Sequence, residues 1–326
     1  MLKVSVIMPC FNHARFLQDS IRSVLKQTYQ NLELIIIDDC SSDNSWEIIE
    51  RFANHDSRIK PIKHGKNEGL SRSRNDGLKI AGGHFVAFCD SDDVWEPEKL
   101  EVQMELLHDN QTCGLAYSDT MIINERGLPV GQRFSERFPL PPAPSGWLFG
   151  KLVRRNFINI QSVLIRKECV QSVGFFDEQV ELVQDWWYWI QLSRDYRFLY
   201  SPKLLARYRV HSRSTNLVQK RGYCINRFKV FKRILRKYTD LPQYVRADLV
   251  FQMGAELCDL GKSRAGRDLL WAAVGLSITD WRAFGCLCRS SRRLLMIPRQ
   301  NVGSSSPKAV KVRETGPIIT SENANK

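Results

Sequence analysis

The chain has no apolar run long enough to cross a bilayer. Its longest uncharged apolar stretch, residues 269–279, is well short of the about 20 residues that a spanning helix needs. No secretory leader is evident, because the apolar run after Lys3 is broken by Pro9, Asn12 and His13; a cytoplasmic protein is expected. Paired cysteine spacing is missing too. The nine cysteines are scattered, and Cys286 and Cys288 lie too close together for a usual metal knuckle. Reduced thiols are therefore expected rather than a disulfide framework. The last shortage is of acid at one end. Residues 203–326 hold 8 of the 35 acidic residues and 25 of the 48 basic ones. Residues 1–202 are slightly acidic, with 27 acidic to 23 basic residues, so the net charge of +13 belongs to the C-terminal part. This asymmetry suggests contact with an anionic surface. Nucleic acid is not expected as a partner, since no recognition motif accompanies the charge.

At 326 residues, with 43% hydrophobic and 25% charged content, there is room for a large soluble domain with an appendage, or for two domains. The first half alternates strand and helix signals, which points to an α/β sheet. Strands are expected at residues 3–8, 34–37, 59–63, 85–88, 114–118 and 162–165. Helices are expected near 17–25, 46–49, 70–81, 96–108 and 185–194. Ser41, Ser42, Asp43 and Asn44 offer N-cap chemistry for the second helix. The proline-rich stretch 138–145 reads as a loop able to fold over a site. Between 223 and 238 a basic helix carries Ile225, Phe228, Phe231, Leu235 and Tyr238 on one face, with Arg and Lys over the rest. More helix follows to about residue 296, and the tail from Asn301 is expected to be disordered.

Three polar clusters close three of these strands: Pro9-Cys10-Phe11-Asn12, Asp38-Asp39 and Asp90-Ser91-Asp92. Open α/β sheets place ligand sites at that edge. The chemistry is complementary: Phe11 gives a flat face for a base, Asp39 an acceptor for a pyrimidine N–H, and Asp92 a ligand for a metal on a diphosphate. Three carboxylates within residues 90–93 repel one another and lose hydration beside a buried strand, costs that a divalent cation relieves. A solvated acidic turn ahead of the next helix is the plainer reading of the same residues.

The motifs also resemble a known family. The segment 4–12 is similar to the opening strand and Pro-x-Tyr-Asn turn of family 2 glycosyltransferases, and 35–43 to their Val-Asp-Asp-Gly-Ser-x-Asp segment. Residues 67–77 resemble their Asn-x-Gly…Ala-Arg-Asn-x-Gly segment, and 88–95 their Asp-x-Asp element. Downstream, Gly174-Phe175-Phe176-Asp177, Gln184-Asp185-Trp186 and Tyr208-Arg209-Val210-His211 extend the likeness to about residue 215. The resemblance implies a GT-A catalytic domain over 1–215, a mixed α/β nucleotide-sugar scaffold. A basic helical region over 216–300 and a tail over 301–326 would follow it.

By the same resemblance the chain is an inverting, hexosyltransferase-like enzyme using a nucleoside-diphosphate sugar, UDP-linked in the favoured reading. Pro9, Phe11, Asn12, Asp39, Arg74 and Asp90 would bind the nucleotide sugar. Asp92 would hold Mn²⁺ or Mg²⁺, with Asp90 and His211 as further candidate ligands, and Asp185 would be the catalytic base. Trp186 and Trp187, with Trp189, are candidates for an acceptor-sugar subsite, although tryptophans near a helix start are often core. Arg72 is either a phosphate contact or a solvated helix residue.

Several positions depart from the family pattern. Phe11 stands for the commoner Tyr, Cys40 for a Gly that tolerates positive φ, Gln184 for Glu, and Trp187 for a frequent acid. With fewer carboxylates nearby, Asp185 is expected to ionise more easily. It has a second reading as the N-cap of its own helix. The acceptor is expected to be a glycan or lipid-linked molecule used in surface polysaccharide or glycolipid synthesis, presented at the inner membrane face. There the 223–238 helix would touch anionic lipid through its apolar face and cationic flanks; a solvated face on a packed helix is the alternative. A non-catalytic sugar-nucleotide or glycan-binding protein is the competing function. A sugar nucleotidyltransferase fits less well, since no basic Gly-rich loop follows the first strand.

Overall fold

A computed structural model describes residues 2–137, 145–212 and 219–278. The expected loop at 138–145 lies outside the described residues except for Ser145, as do the part of the expected C-terminal helix beyond residue 278 and the tail from 301. Among the described residues, nine strands form one mixed sheet: β1 (Val4–Cys10), β2 (Leu32–Asp38), β3 (Ile59–Lys63), β4 (Phe85–Phe88), β5 (Val94–Trp95), β6 (Cys113–Ile123), β7 (Pro129–Arg133), β8 (Val163–Arg166) and β9 (Arg197–Arg209). The order is β3-β2-β1-β4-β8-β6-β9-β5, with β7 paired to β6 off that path. β3, β2, β1 and β4 run parallel, so their carboxyl ends share one edge. β8 is antiparallel to both β4 and β6, while β6 and β9 run parallel.

Alternation along each strand feeds two cores, one per face of the sheet. Val4, Val6 and Met8 of β1 enter one, with Leu34 and Ile36 of β2 and Ala87 of β4. Ile7, Ile35, Ile37, Val86 and Phe88 point into the other. The first core is covered by α1 (Ala14–Leu25), α2 (Ser45–His55) and α4 (Lys99–His108). Against the second face packs α3 (Leu70–Ile80), closely enough that a Cβ on Gly77 would sit 2.6 Å from Ile7 Cγ2. A glycine is needed there for that approach.

The second core extends beyond the sheet. It takes in α5 (Phe149–Leu152), α6 (Lys167–Val173) and the aromatic helix α7 (Gln184–Asp195). It also includes Val230, Phe231 and Ile234 of α8 (Lys220–Lys237) and Val245, Leu249 and Met253 of α9 (Gln243–Asp259). The last helix, α10 (Ser263–Ile278), packs on α9.

Three expectations are corrected here. The strand expected at 114–118 continues to Ile123, because β6 pairs along most of its length with β9, a strand the sequence did not announce. Capping of α2 falls to one member of the Ser41–Asn44 cluster: Asn44 at the N-cap position makes no side-chain bond, whereas Asp43 Oδ1 accepts from Ser45 N at the start of α2 (3.0 Å) and its Oδ2 from Ala14 N at the start of α1 (3.0 Å). Finally, the expected apolar face of α8 packs largely on the core: Phe231 and Tyr238 are buried beside Val230 and Ile234, Phe228 and Leu235 are half-buried against them, and Ile225 stays 39% exposed. Little of that face beyond Ile225 is left for lipid. Part of its basic flank is also engaged within the chain, with Arg233 Nε 2.8 Å from Asp177 and Arg227 Nε 3.2 Å from Glu256.

Candidate functional site

The loops after β1 and β2 are built as one unit. Asn12 adopts a left-handed conformation (φ 56°) and Cys40 another (φ 62°), the conformation a glycine would supply at position 40. Such residues cost about 1–2 kcal/mol each and persist only where neighbours hold them. Asn12 is held by donating its N–H to Ser41 Oγ (2.9 Å), while its Oδ1 accepts from Ser42 N (2.8 Å) and Asp43 N (3.3 Å). Its side chain thus ties loop to loop rather than facing a ligand. Pro9 is buried at the end of β1, opposite Ile37. Phe11 is 45% exposed, an open aromatic face above the edge.

Asp39 is buried, and its carboxylate anchors the start of α3. Its oxygens accept from Glu68 N (2.8 Å) and Gly69 N (2.9 Å), and His64 Nδ1 lies 2.8 Å from Oδ1. An ionised carboxylate offers about four acceptor positions, so one remains for a ligand N–H.

The acidic loop after β4 sorts its three carboxylates. Asp90 takes Arg74 Nη2 on Oδ1 (2.8 Å) and Gln161 Nε2 on Oδ2 (2.7 Å), and its own N–H donates to Gln161 Oε1 (2.8 Å). Asp92 Oδ2 lies 3.0 Å from His211 Nε2. Burial opposes ionisation of Asp92, but the His211 hydrogen bond, with the charges of His13 and His211, outweighs it and lowers the carboxyl pKa. Asp93 has the opposite fate. Burial first, then the charges of Asp92 and Asp90, push its carboxyl well above the usual range. Its Oδ1 accepts from Arg209 N (2.7 Å), which pins the loop to β9. Arg209 adds a bond from Nε to Asp92 O (2.7 Å).

One side chain that the motif reading passed over joins this loop. A ring nitrogen of His13 lies within 4.8 Å of ligand atoms on both Asp92 and His211, and His13 Nδ1 is 2.8 Å from Ser91 Oγ. The imidazole rings of His13 and His211 meet edge to face, with centroids 5.8 Å apart. Two imidazoles and a carboxylate suit a divalent cation. Asp90 is outside this group, because its two oxygens serve Arg74 and Gln161.

Arg74 is 1% exposed, and its Nε and Nη1 find no hydrogen-bond partner among the described residues. A buried guanidinium with two idle donors fits an anionic ligand better than it fits a closed core. Asp185, in the first turn of α7, is close enough to Arg74 and Asp90 to feel both charges. Burial raises its pKa, against the lowering effect of the Arg74 charge and of hydrogen bonds that include Asn156 Nδ2 at 3.2 Å from Oδ2. The expectation of easier ionisation is therefore corrected: desolvation outweighs the loss of neighbouring acids. Nor does Asp185 cap its helix, whose N-cap position is Val183 with no side-chain bond.

Trp186 and Trp187 are placed in the core rather than in a subsite. They are 2% and 5% exposed, and Trp186 Nε1 donates to Leu152 O (2.7 Å) while its ring meets Phe231 edge to face. Among the described residues the exposed tryptophans are Trp147 and Trp271. Arg72 is the solvated helix residue, with Nε 3.0 Å from Asp76. Beyond His13, the positioning groups Gln161, Asn156 and Arg209 were not singled out as site residues from the sequence. They lie far along the chain from the carboxylates they hold.

Comparison with known proteins bears on the family and the fold. Residues 5–157 match the family described as Glycosyl transferase family 2. A UDP-Glc:alpha-D-GlcNAc-diphosphoundecaprenol beta-1,3-glucosyltransferase of Escherichia coli is 35% identical over 192 residues, 59% of this chain and 70% of that protein. A putative teichuronic acid biosynthesis glycosyltransferase of Bacillus subtilis is 29% identical over 212 residues, 65% of this chain and 80% of the other. Among solved structures, S. aureus TarS in complex with UDP-GlcNAc superposes with a TM-score of 0.63 at 18% identity, covering 90% of this chain and 92% of that one. The mannosyltransferase PcManGT from Pyrobaculum calidifontis, in complex with GDP-Man and Mn²⁺, gives 0.57 at 16% identity, covering 90% and 87%. These are GT-A glycosyltransferases, and the mixed sheet flanked by helices is their fold. No helix among the described residues is long and apolar enough to cross a membrane. The chain belongs to glycosyl transferase family 2 and is a glycosyltransferase.

Proposed function

We propose that this glycosyltransferase inverts the anomeric centre of a UDP-linked sugar as it transfers it to a lipid-diphosphate-linked glycan. The observation that carries the reading is the meeting of Arg74, Asp90 and Asp185 at the sheet edge to which Asp92 and the exposed Phe11 also belong. Phe11 would stack on the base, and the remaining acceptor position of Asp39 would take its N–H. Arg74 would turn its idle Nε and Nη1 to the diphosphate, held in place by Asp90, which Gln161 fixes from behind. Asp92 and His211 are the residues that would hold a divalent cation, whose charge would offset the negative charge growing on the departing diphosphate.

Asp185 acts as general base. It takes the proton of the acceptor hydroxyl as that oxygen bonds to the anomeric carbon, and the bond from that carbon to the diphosphate breaks on the opposite face. A carboxyl raised by burial is a stronger base than a solvated one, which suits this step. The donor assignment draws support from the uridine nucleotides named for the Escherichia coli relative and for TarS, and the acceptor class from the first of these. The basic C-terminal part would hold the enzyme against the anionic inner leaflet where such acceptors are presented, by charge rather than by burial of α8.

The test is a pair of variants assayed with UDP-sugars and a membrane extract. Asp185→Asn should lower transfer by about 10³-fold or more while UDP affinity stays within twofold. Asp92→Asn should abolish the gain in UDP affinity that Mn²⁺ confers. Full turnover by Asp185→Asn would remove its role as base. A retained configuration at the anomeric carbon of the product would sink the inverting mechanism.

A further inference from the structure

His13 follows the β1 turn, outside the acidic motif, yet its imidazole shares a cluster with Asp92 and His211. All three ligand atoms lie within 4.8 Å of one another; two bonds of about 2.1 Å span at most about 4.2 Å, so the side chains would draw in by a few tenths of an ångström on a shared ion. Independent features aim the ring there. His13 N donates to Ser45 Oγ at 3.2 Å, and Ser91 Oγ sits 2.8 Å from Nδ1, which fixes the ring through one nitrogen. An outer partner of this kind is what orients a metal-bound imidazole and sets its tautomer. Phe16 packs against His211, with ring centroids 5.0 Å apart, and limits its movement from the other side.

The donor set then bears on which ion is taken. Mg²⁺ demands oxygen ligands and keeps several waters, whereas imidazole nitrogen favours first-row transition ions. Had Asp90 and Asp92 been the pair, the site would be oxygen-rich and suited to either. Asp90 is committed to Arg74 and Gln161, and two histidines take its place.

We propose that His13 is the third protein ligand of the divalent cation, and that the two-histidine, one-carboxylate set selects a first-row transition ion such as Mn²⁺ over Mg²⁺. This rests on the cation site of the proposed function, and goes beyond it in naming a ligand outside the acidic motif and the ion class. Three aromatic or hydroxyl neighbours, Phe16, Ser45 and Ser91, hold the two imidazoles in position, so the preference is built into the folded loop.

The measurement is Mn²⁺ and Mg²⁺ titration of the full chain in the presence of UDP, together with pulsed electron paramagnetic resonance of bound Mn²⁺. The wild type should show two directly bound ¹⁴N nuclei and should bind Mn²⁺ at least about 10-fold more tightly than Mg²⁺. His13→Gln should keep one nitrogen, lose about 10- to 100-fold in Mn²⁺ affinity and change Mg²⁺ affinity by less than about threefold. A single ¹⁴N in the wild type, which needs no variant to read, would overturn the assignment. Unchanged Mn²⁺ affinity in a folded His13→Gln protein would do the same. Failure of the cation reading itself looks different: the wild type would then bind neither ion with UDP.

Discussion

The loops at the carboxyl ends of β1, β2 and β4 and the wall around Asp185 hold their side chains by different means. In the loops almost every polar group grips another loop: Asn12 grips Ser42, Asp43 grips the start of α1, Asp39 grips the start of α3, and Asp93 grips β9. Around Asp185 the carboxylate bonds only to Asn156 and the Trp186 backbone among the described residues, and Trp186, Trp187 and Phe231 pack in the core behind it. The first arrangement fixes charge in a preset pattern, which suits a ligand of fixed shape such as a nucleotide diphosphate. The second leaves Asp185 only partly covered. A site built this way can vary its acceptor without disturbing its donor.

The comparison can be broken at the packed wall first. Trp186→Ala removes a buried indole and the Leu152 hydrogen bond, and should cost about 3–5 kcal/mol of stability, measured by urea unfolding. If the wall were held by polar contacts as the loops are, the loss would be under about 1 kcal/mol. At the loops, Arg74→Met should lower transfer by about 10²-fold through loss of diphosphate contact, and Arg74→Lys should not restore it, because lysine lacks the planar fork that gives one nitrogen to Asp90 and leaves the others for a ligand. The same variant tests the link between the two regions. Without the Arg74 charge, which lowers the Asp185 pKa, the acid limb of the pH–rate profile should move to higher pH; with Asp90→Asn it should move to lower pH. Asn156→Ala is the milder case, with an upward shift of that limb and a fall in kcat of about 10-fold at unchanged donor KM.

A separate test concerns Lys99, which is buried with its ammonium bonded to Gln103 Oε1 and Val163 O and lying over Trp95. Burial lowers its pKa from 10.5 to about 7. The folded chain then releases this proton near pH 7, while the unfolded chain keeps it to about 10.5. Between those values the unfolded state binds more protons, so the lysine's contribution to stability rises with pH. The stability difference between wild type and Lys99→Met should therefore slope with pH across that window and flatten below pH 7.

The parallel half of the sheet was legible in the sequence because each of its strands is a local apolar run closed by turn chemistry. Residues 34–37 and 85–88 are examples, and the helix at 70–80 fell where its spacing put it. The strand β9 was not legible. Its 13 residues mix Arg, Lys, Pro and Tyr, and they become a strand because β6 lies beside them. The same division runs through the site. Asp90, Asp92 and Asp185 stand out by type and spacing, and the glycine-like φ of Cys40 follows from its place in a turn. Residue type alone does not separate Asp90, Asp92 and Asp93, which are chemically alike; the roles expected of Asp90 and Asp92 came from the family resemblance.

Sequence by itself determined the family, the α/β sheet and the acidic edge, all of which follow from residue type over short spans. The tertiary structure decided the partners: Gln161 and Arg74 for Asp90, His211 for Asp92, Arg209 for Asp93, Asn156 for Asp185. It also decided that Trp186 and Trp187 are core and that α8 turns its apolar side inward. Those outcomes depend on desolvation and on contacts between segments as much as 119 residues apart, and neither is a property of a residue's neighbours in the chain.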